Sequence, residues 1–282
     1  MAVKCSVYAL KVGESPPDYY RRNGIQPLYM SDEERDKPLF YYFWCIKGEK
    51  ESIVVDTGIA PEHKDGIIGY ESPVTLLEQI GVNAKKVEKV IITHLHQNHF
   101  SGIYLFDNAD FYIQEEDFRS QARHIAERRF MRERAMLSPQ MQDDLKDMSC
   151  LQRIHYVNGE EKVVDGVTCH LVGGHTAGMQ VVSAETENGR AVICSDLAYL
   201  FRNLTEETPV GSFWNLHQAC EGLYKVKRIA SNEKLLFPSH DPLVWDGRFP
   251  LVIKELQNWP SYFGSSFLLR YSSAIPVTRS GI

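Results

Sequence analysis

Short apolar runs alternate along this chain with turns rich in glycine, proline and charge. Runs of four to eight apolar or β-branched residues between turn residues are typical of strands, whereas apolar residues spaced three to four apart indicate helices. The pattern therefore predicts an α/β fold. The predicted strands are residues 3–9, 38–46, 52–59, 87–92, 111–114, 161–164, 167–172, 181–186, 191–194 and 235–238. The predicted helices are residues 73–80, 115–137, 139–148, 214–230 and 251–259.

Residues 14–37 break the strand pattern and are rich in proline, charge and tyrosine. We predict a long loop there, which is either a lid over a binding site or a surface excursion. No linker with a sharp change of composition divides the chain, so residues 1–282 are predicted to form one domain. The helices between about 115 and 149 would then be an insertion in that domain.

Composition narrows the classes of function. A hydrophobic content of 43% is enough for a substantial core, and a net charge of -6 argues against a nucleic-acid surface. The amino terminus shows no signal peptide, and the chain has no apolar run of 18 residues. We therefore expect a soluble, cytoplasmic protein that binds a small-molecule substrate, without nucleic-acid or membrane partners. The oligomeric state is open, with a homodimer as one option.

The six cysteines are scattered and include no C-x-x-C pair. Several lie within strand-like apolar runs, so we predict buried free thiols rather than a disulfide framework. Cys194 lies two residues before Asp196, where strand packing explains it better than a catalytic thiol does.

The segment Thr93-His94-Leu95-His96-Gln97-Asn98-His99 follows the predicted strand 87–92. Loops at the carboxyl ends of strands carry the chemistry of α/β proteins. Histidines at positions i, i+2 and i+5 cannot share one helical face, but a tight loop can turn them towards one point. This arrangement is typical of metal ligands.

Three further segments place a metal-ligand type of residue after a predicted strand: His175 in a glycine-rich turn, Asp196 and His240. Asp56 likewise stands at a strand end beside a glycine. The remaining histidines lie apart from these segments and are interpreted as surface or hydrogen-bonded core residues. They are His63, His124, His155, His170 and His217.

Taken in order, Asp56, the T-H-L-H-Q-N-H segment, Gly174-His175-Thr176, Asp196 and Ser239-His240 resemble the five motifs of the metallo-β-lactamase superfamily. The resemblance covers essentially the whole chain and implies a four-layer αββα sandwich. It implies Zn²⁺ as one or two ions, with iron or manganese as alternatives, and it implies that Asp56 orients a ligand histidine through its free ring nitrogen. The implied ligands are His94, His96 and His175 for the first metal, His99 and His240 for the second, and Asp196 as the bridge.

A finer resemblance lies in Asp196-Leu197-Ala198-Tyr199, which is similar to the Asp-x-x-Tyr of the N-acyl-homoserine lactonase and pyridoxolactonase branch. It implies a metal-dependent hydrolase that opens a lactone or related ester-like bond with a metal-bound hydroxide. The Tyr199 hydroxyl would approach the carbonyl oxygen of the substrate. The alternative for Tyr199 is an aromatic residue packed under the loop.

Asn98 departs from the family pattern, which has an aspartate at this position. In the family that carboxylate binds the second metal and, in the lactonases, passes a proton to the leaving alkoxide. An amide offers only a neutral oxygen and cannot titrate. Three explanations are open: divergence towards one tightly held metal, a dinuclear enzyme with a different metal or leaving group, and an engineered substitution that inactivates the enzyme.

Two other interpretations of the same residues are open. A relative of the same fold could be a thioester hydrolase or a mononuclear iron dioxygenase. A protein of another class, catalytically silent, could use the pocket to bind a ligand or the arginine-rich helix 115–137 to bind a partner. Several aromatic residues are candidates for the wall of a substrate pocket or for the core. They are Tyr19, Tyr20, Tyr29, Phe40, Tyr41, Phe43 and Trp214.

Overall fold

A computed structural model describes residues 5–17, 19, 35–126, 142–143, 146–147, 152–245 and 268–270. The predicted helix 251–259, most of the predicted loop 14–37, Cys150, Tyr20 and Tyr29 lie outside these residues. Within the predicted helix 139–148, the four described positions are helical. No helix in the described residues is long and apolar enough to cross a membrane.

The described strands form two sheets. The first has the order β12-β1-β2-β3-β4-β5-β6, in which β3 to β6 run parallel and the others pair antiparallel. Its strands are β1 (Ser6–Glu14), β2 (Phe40–Lys47), β3 (Ser52–Val55), β4 (Lys89–Ile91), β5 (Asp110–Gln114), β6 (Ile154–Val157) and β12 (Leu268–Arg270).

The second sheet has the order β11-β10-β9-β8-β7, with β10 and β11 parallel and the other neighbours antiparallel. Its strands are β7 (Glu160–Val164), β8 (Val167–Leu171), β9 (Gln180–Thr186), β10 (Gly189–Ser195) and β11 (Leu236–Pro238). The α-helices are α1 (Pro73–Gln79), α2 (Gln97–Phe100), α3 (Glu115–Ala126), α4 (Phe201–Thr205) and α5 (Leu216–Ile229). Short 3₁₀ turns cover Pro61–His63, Ala84–Lys86, Ile103–Leu105, Glu233–Leu235 and Pro242–Val244.

The two faces of β2 show how the layers are built. Successive side chains of a strand point to opposite faces of its sheet. Phe40, Tyr42, Trp44 and Ile46 belong to the core cluster shared with β8 to β11, whereas the alternate residues pack with α1 and α2 on the outer face. Helix α5 contacts β10 on the far side of the second sheet. The result is helix, sheet, sheet, helix, which confirms the predicted four-layer sandwich.

The boundaries differ from the predicted ones for local reasons. The predicted strand 52–59 ends at Val55 because Asp56 adopts a left-handed conformation, with φ of 61°, and turns the chain. Strand β6 was not predicted, since two of its four residues are exposed and it lacks an apolar run. The predicted helix 214–230 begins at Leu216, where the Asn215 side chain accepts a hydrogen bond from the backbone N–H of Gln218.

The five described cysteines are free, and four of them are buried, which confirms the prediction for these residues. Burial raises the pKa of the Cys194 thiol to about 12, so it is held in its unreactive protonated form. Of the aromatic candidates for a pocket wall, Phe40, Tyr41 and Phe43 are core residues, whereas Trp214 is 52% exposed.

A buried glutamine joins the sheets beside the histidine segment. Gln180, at the start of β9, donates from Nε2 to the carbonyl oxygens of Ile92 (2.7 Å) and Tyr112 (3.1 Å). Ile92 directly follows β4 and Tyr112 lies in β5, both in the first sheet. Its Oε1 accepts from Nε2 of Gln114 at 2.9 Å, and its backbone N–H donates to the carbonyl of Thr93 at 2.9 Å. Every polar atom of this side chain is therefore used across the sheet interface.

We predict that Gln180→Leu lowers the free energy of unfolding by about 2–3 kcal/mol, because the apolar side chain leaves buried carbonyl oxygens without a donor. Urea unfolding followed by circular dichroism measures this change. Gln79→Leu on the exposed end of α1 is the matched control and should change the stability by less than about 0.5 kcal/mol. An equal loss in both variants would contradict the bridging role of Gln180.

Candidate metal centre

Five strands deliver a polar side chain to one edge of the molecule, each just after the strand ends. In the first sheet, Asp56 follows β3, the segment 93–99 follows β4, and Asp117 lies in the helix that follows β5. In the second sheet, Asp196 follows β10 and His240 follows β11. Because these strands run parallel within each sheet, their carboxyl ends lie together.

The first group of side chains comprises His94, His96, His175 and one carboxylate oxygen of Asp196. Nδ1 of His96 lies 3.0 Å from Nε2 of His94 and 3.0 Å from Nε2 of His175. Oδ2 of Asp196 lies 3.7 Å from Nε2 of His94 and 3.3 Å from Nε2 of His175. The four side chains therefore converge on one point.

The second group shares the same aspartate. Nε2 of His99 and Nε2 of His240 each lie 3.2 Å from Oδ1 of Asp196. The two oxygens of one buried carboxylate are thus divided between two histidine groups. The structure brings together all six side chains that the sequence suggested as ligands, in the suggested two sets.

Hydrogen bonds alone do not account for these contacts. One proton on Nδ1 of His96 can serve only one of its two histidine neighbours. Nε2 of His99 and Oδ1 of Asp196 are buried without a hydrogen-bond partner of acceptable geometry, although they lie 3.2 Å apart. A tetrahedral zinc ion with bonds of about 2.0–2.1 Å holds its ligand atoms roughly 3.3–3.4 Å apart. The donor set and its spacing therefore fit a pair of transition-metal ions.

Backbone carbonyls and one carboxylate fix the tautomers of three ligands. Nδ1 of His175 donates to the carbonyl oxygen of Ser212 at 2.6 Å, and Nδ1 of His240 donates to that of Phe40 at 2.8 Å. Nδ1 of His99 donates to Oδ2 of Asp56 at 2.7 Å. Because Nδ1 carries the donated proton in each ring, Nε2 is the atom available to a metal. The contact between Asp56 and His99 is the one that the family resemblance implied.

Asp56 belongs to a hydrogen-bond network that connects ligands of both groups. Its carboxylate also accepts from the backbone N–H of Thr93 at 2.7 Å and from the Thr93 hydroxyl at 2.9 Å. The Ser195 hydroxyl donates to Oγ1 of Thr93 at 2.7 Å, and Nδ1 of His94 lies 3.2 Å from the same oxygen. Sequence reasoning missed Ser195, which directly precedes Asp196. In the structure, Ser195 has an unfavourable positive φ of 50°.

Burial and neighbouring charges set the protonation of the ligands. Burial, with the neighbouring His99 and His96, holds the pKa of His94 well below its usual value, and burial lowers the pKa of His175. Burial also acts to lower the pKa of His99, but Asp196 and Asp56 outweigh it and raise that pKa to about 10. A cation at Nε2 of His99 must therefore displace a proton.

The pKa of Asp196 is shifted in the opposite direction by the same charge interactions. Burial acts to raise it, but the charges of His99 and His240 outweigh burial and hold it well below its usual range. Asp196 is therefore a carboxylate at neutral pH, and both of its oxygens are available as ligands.

Tyr199 is buried beside both groups. Its ring centroid lies 4.9 Å from that of His240 and 5.9 Å from that of His175. Tyr199 also packs with Leu39 and Val210 in a small apolar cluster, against which Tyr19 of the predicted loop 14–37 is partly buried. The ring therefore has a packing role at the edge of the centre, and this role is compatible with a functional hydroxyl.

Asn98 lies in the single turn of helix α2, between His96 and His99. It is partly exposed, and its side chain makes no hydrogen bond within the described residues. The other histidines lie apart from the centre where their side chains are described. His155 contacts Glu161 on the surface, and the buried His170 lies between Glu160 (3.0 Å) and Ser183 (2.9 Å).

Sequence reasoning also missed Asp117, which it placed in the predicted helix 115–137 without a role. Its buried carboxylate accepts hydrogen bonds from both loops that carry the first group of histidines. Burial raises the pKa of Asp117, and these hydrogen bonds oppose the rise. The available signal was its position after β5, since the rule that identified Asp56 and Asp196 applies equally to this strand.

Comparison with known proteins gives a consistent result. Residues 36–139 match the model of the metallo-beta-lactamase superfamily. An N-acyl homoserine lactonase from Bacillus cereus is 25% identical over 221 residues, which cover 70% of this chain and 80% of the relative. The fold is similar to that of an N-acyl homoserine lactone hydrolase with N-hexanoyl-L-homoserine bound at its catalytic metal center, with a TM-score of 0.64 and 21% identity over 87% of this chain and 96% of that chain. A dizinc quorum-quenching lactonase gives a TM-score of 0.65 at 14% identity over 98% of this chain and 97% of that chain.

The family match covers the segment that contains Asp56, the histidines of the 93–99 loop and Asp117. The structural similarities extend the same fold to the second sheet, which supplies Asp196 and His240. The chain is therefore similar to the metallo-beta-lactamase superfamily in sequence over residues 36–139 and similar in fold to solved lactonase structures over both sheets.

Proposed function

We propose that this protein is a metal-dependent hydrolase that opens a lactone ring. The observation that carries the proposal is the division of the Asp196 carboxylate between two histidine groups, at 3.3–3.7 Å on one side and 3.2 Å on the other. The similarity to N-acyl homoserine lactonases supports the lactone as substrate. His94, His96 and His175 would hold the first metal, His99 and His240 the second, and Asp196 would bind both.

Zinc is the metal we infer, because histidine nitrogens with one bridging carboxylate suit it and a solved structure of the same fold is a dizinc lactonase. When bound, such ions act as Lewis acids and lower the pKa of water to about 7, which provides a nucleophile at neutral pH. The protein then needs no nucleophilic side chain of its own. The buried, unreactive thiol of Cys194 agrees with this assignment.

The remaining residues position ligands and stabilise charge. Asp56 holds the ring of His99 through Nδ1, and the carbonyls of Ser212 and Phe40 do the same for the rings of His175 and His240. Tyr199 lies between the two histidine groups, where its hydroxyl would donate a hydrogen bond to the carbonyl oxygen of the substrate as negative charge develops there. Because the amide of Asn98 cannot titrate, the proton for the leaving alkoxide would come from solvent.

The first test is a substrate panel. The zinc-loaded protein should hydrolyse N-acyl homoserine lactones, measured by chromatography of the ring-opened acid. His96→Ala should reduce the rate to background because the first group loses a ligand, whereas His155→Ala, on the exposed face of β6, should keep the wild-type rate.

Other results on the same panel would replace the proposal. Hydrolysis of thioesters alone would indicate a thioesterase, and oxygen consumption by the iron-loaded protein would indicate a dioxygenase. No hydrolysis of lactones, esters or thioesters by the metal-loaded protein would favour a binding protein.

The role of Tyr199 gives a second prediction. Tyr199→Phe should lower kcat by roughly tenfold to a thousandfold, the effect expected when one donor to a developing oxyanion is removed. The ring packing against His240 is retained in this variant, so metal content should not change. Tyr156→Phe is the matched control at an exposed position. An unchanged kcat for Tyr199→Phe would show that Tyr199 has only a packing role.

Asn98 gives a third prediction, on metal content. We expect Asn98→Asp to raise the occupancy of the second centre, because a carboxylate is a stronger ligand than a neutral amide. Both proteins would be loaded with zinc, dialysed against a weak chelator and analysed by mass spectrometry of the metals. Asn108→Asp, which adds the same charge on the surface, is the control. Equal zinc stoichiometry in the wild-type and Asn98→Asp proteins would refute this explanation.

A further inference from the structure

Asp117 is a buried carboxylate that belongs to neither histidine group, yet it contacts both loops of the first one. Its Oδ2 accepts from the backbone N–H of Leu95 at 2.9 Å. Its Oδ1 accepts from the hydroxyl of Thr176 at 2.5 Å and from the backbone N–H of Gly178 at 3.1 Å. Each oxygen therefore serves one loop.

The donors are close in sequence to the ligands. Leu95 is the residue between His94 and His96, and Thr176 directly follows His175. His99 and His240, which form the second group, are farther from these donors in the sequence than the ligands of the first group are. The carboxylate thus spans the gap between the two loops that must approach each other to build the first group.

Close packing fixes this gap. A Cβ atom at Gly178 would lie 2.1 Å from the backbone nitrogen of Asp117 and 2.7 Å from its Cα, so only glycine allows the loop to approach the start of α3 this closely. Asp117 is 1% exposed and forms no ion pair within the described residues. Burying a carboxylate without a cation is unfavourable unless hydrogen bonds compensate, and three donors do so here.

We propose that Asp117 is a positioning residue for the first metal centre. Its two oxygens set the separation of the 93–99 and 173–178 loops, and through them the separation of the pair His94 and His96 from His175. The inference rests on the proposed function only in that the first group binds a metal. It predicts a selective effect on that centre.

The test measures zinc affinity at each centre separately, by competition with a chromogenic chelator. Asp117→Asn keeps the size of the side chain but replaces one acceptor oxygen with an NH₂ group, which faces a donor in one of the loops. In a His240→Ala background, which keeps the first group complete, this change should weaken zinc binding by about 10- to 100-fold, as expected for residues that orient ligands. In a His96→Ala background, which keeps the second group, the affinity should change by less than about twofold.

Three further variants separate positioning from general destabilisation. Glu116→Gln makes the same change of charge at the neighbouring, exposed position and should leave both affinities unchanged. Thr176→Val removes one donor and should weaken the first centre, whereas Thr176→Ser keeps the hydroxyl and should restore it. If Asp117→Asn does not fold, as judged by circular dichroism, this threonine pair decides the question.

Two outcomes would overturn the inference: equal weakening at both centres, which is the effect of a general structural role, and unchanged affinity at the first centre. A wild-type protein that takes up no zinc would reject the proposed function itself, and the inference with it. The failure of the two proposals is therefore distinguishable.

Discussion

The centre depends on one buried charge, the carboxylate of Asp196. It lies 3% exposed among four histidine nitrogens at 3.2–3.7 Å, and no lysine or arginine forms an ion pair with it in the described chain. A carboxylate cannot stay ionised in such a place without compensating positive charge. A protonated His99 can supply that charge, and so can a metal ion that displaces its proton. Asp196 therefore requires a cation beside it, and the rest of the fold holds the groups that would bind one.

Two sheets must meet for this to occur, and buried polar side chains make the connection at the site itself. Gln180 links β9 to the backbone of the first sheet immediately before His94. The chain of hydrogen bonds from Ser195 through Thr93 to Asp56 links the end of β10 to the ends of β3 and β4. These hydrogen bonds require specific distances and directions, so they define one relative position of the sheets where apolar packing would tolerate several. The relative position of the ligands from the two sheets is fixed in the same way.

The sequence could predict what depends on local pattern and on strand ends. Strand β4 and the histidines after it were visible because a buried strand is a continuous apolar run, and the four-layer arrangement followed from the family resemblance. Asp117 was missed despite its position after β5, because an acidic residue in the first turn of a helix is usually exposed, whereas this one is buried against Gly178. Ser195 was hidden for a related reason: its role is a contact with Thr93, 102 residues away along the chain. Long-range pairing of ordinary polar residues leaves no periodic signal.

Asn98 changes the charge balance of the second centre, and His99 shows why this matters. The carboxylates of Asp196 and Asp56 raise the pKa of His99 to about 10, so at neutral pH a proton on His99 and a metal ion compete for the same negative charge. A carboxylate at position 98 would add negative charge and a ligand, and it would favour the divalent ion over the single proton. The neutral amide leaves that competition to His99, His240 and the shared Asp196. In the first group, burial lowers the pKa values of His94 and His175, so a proton competes with a metal ion less there than at His99.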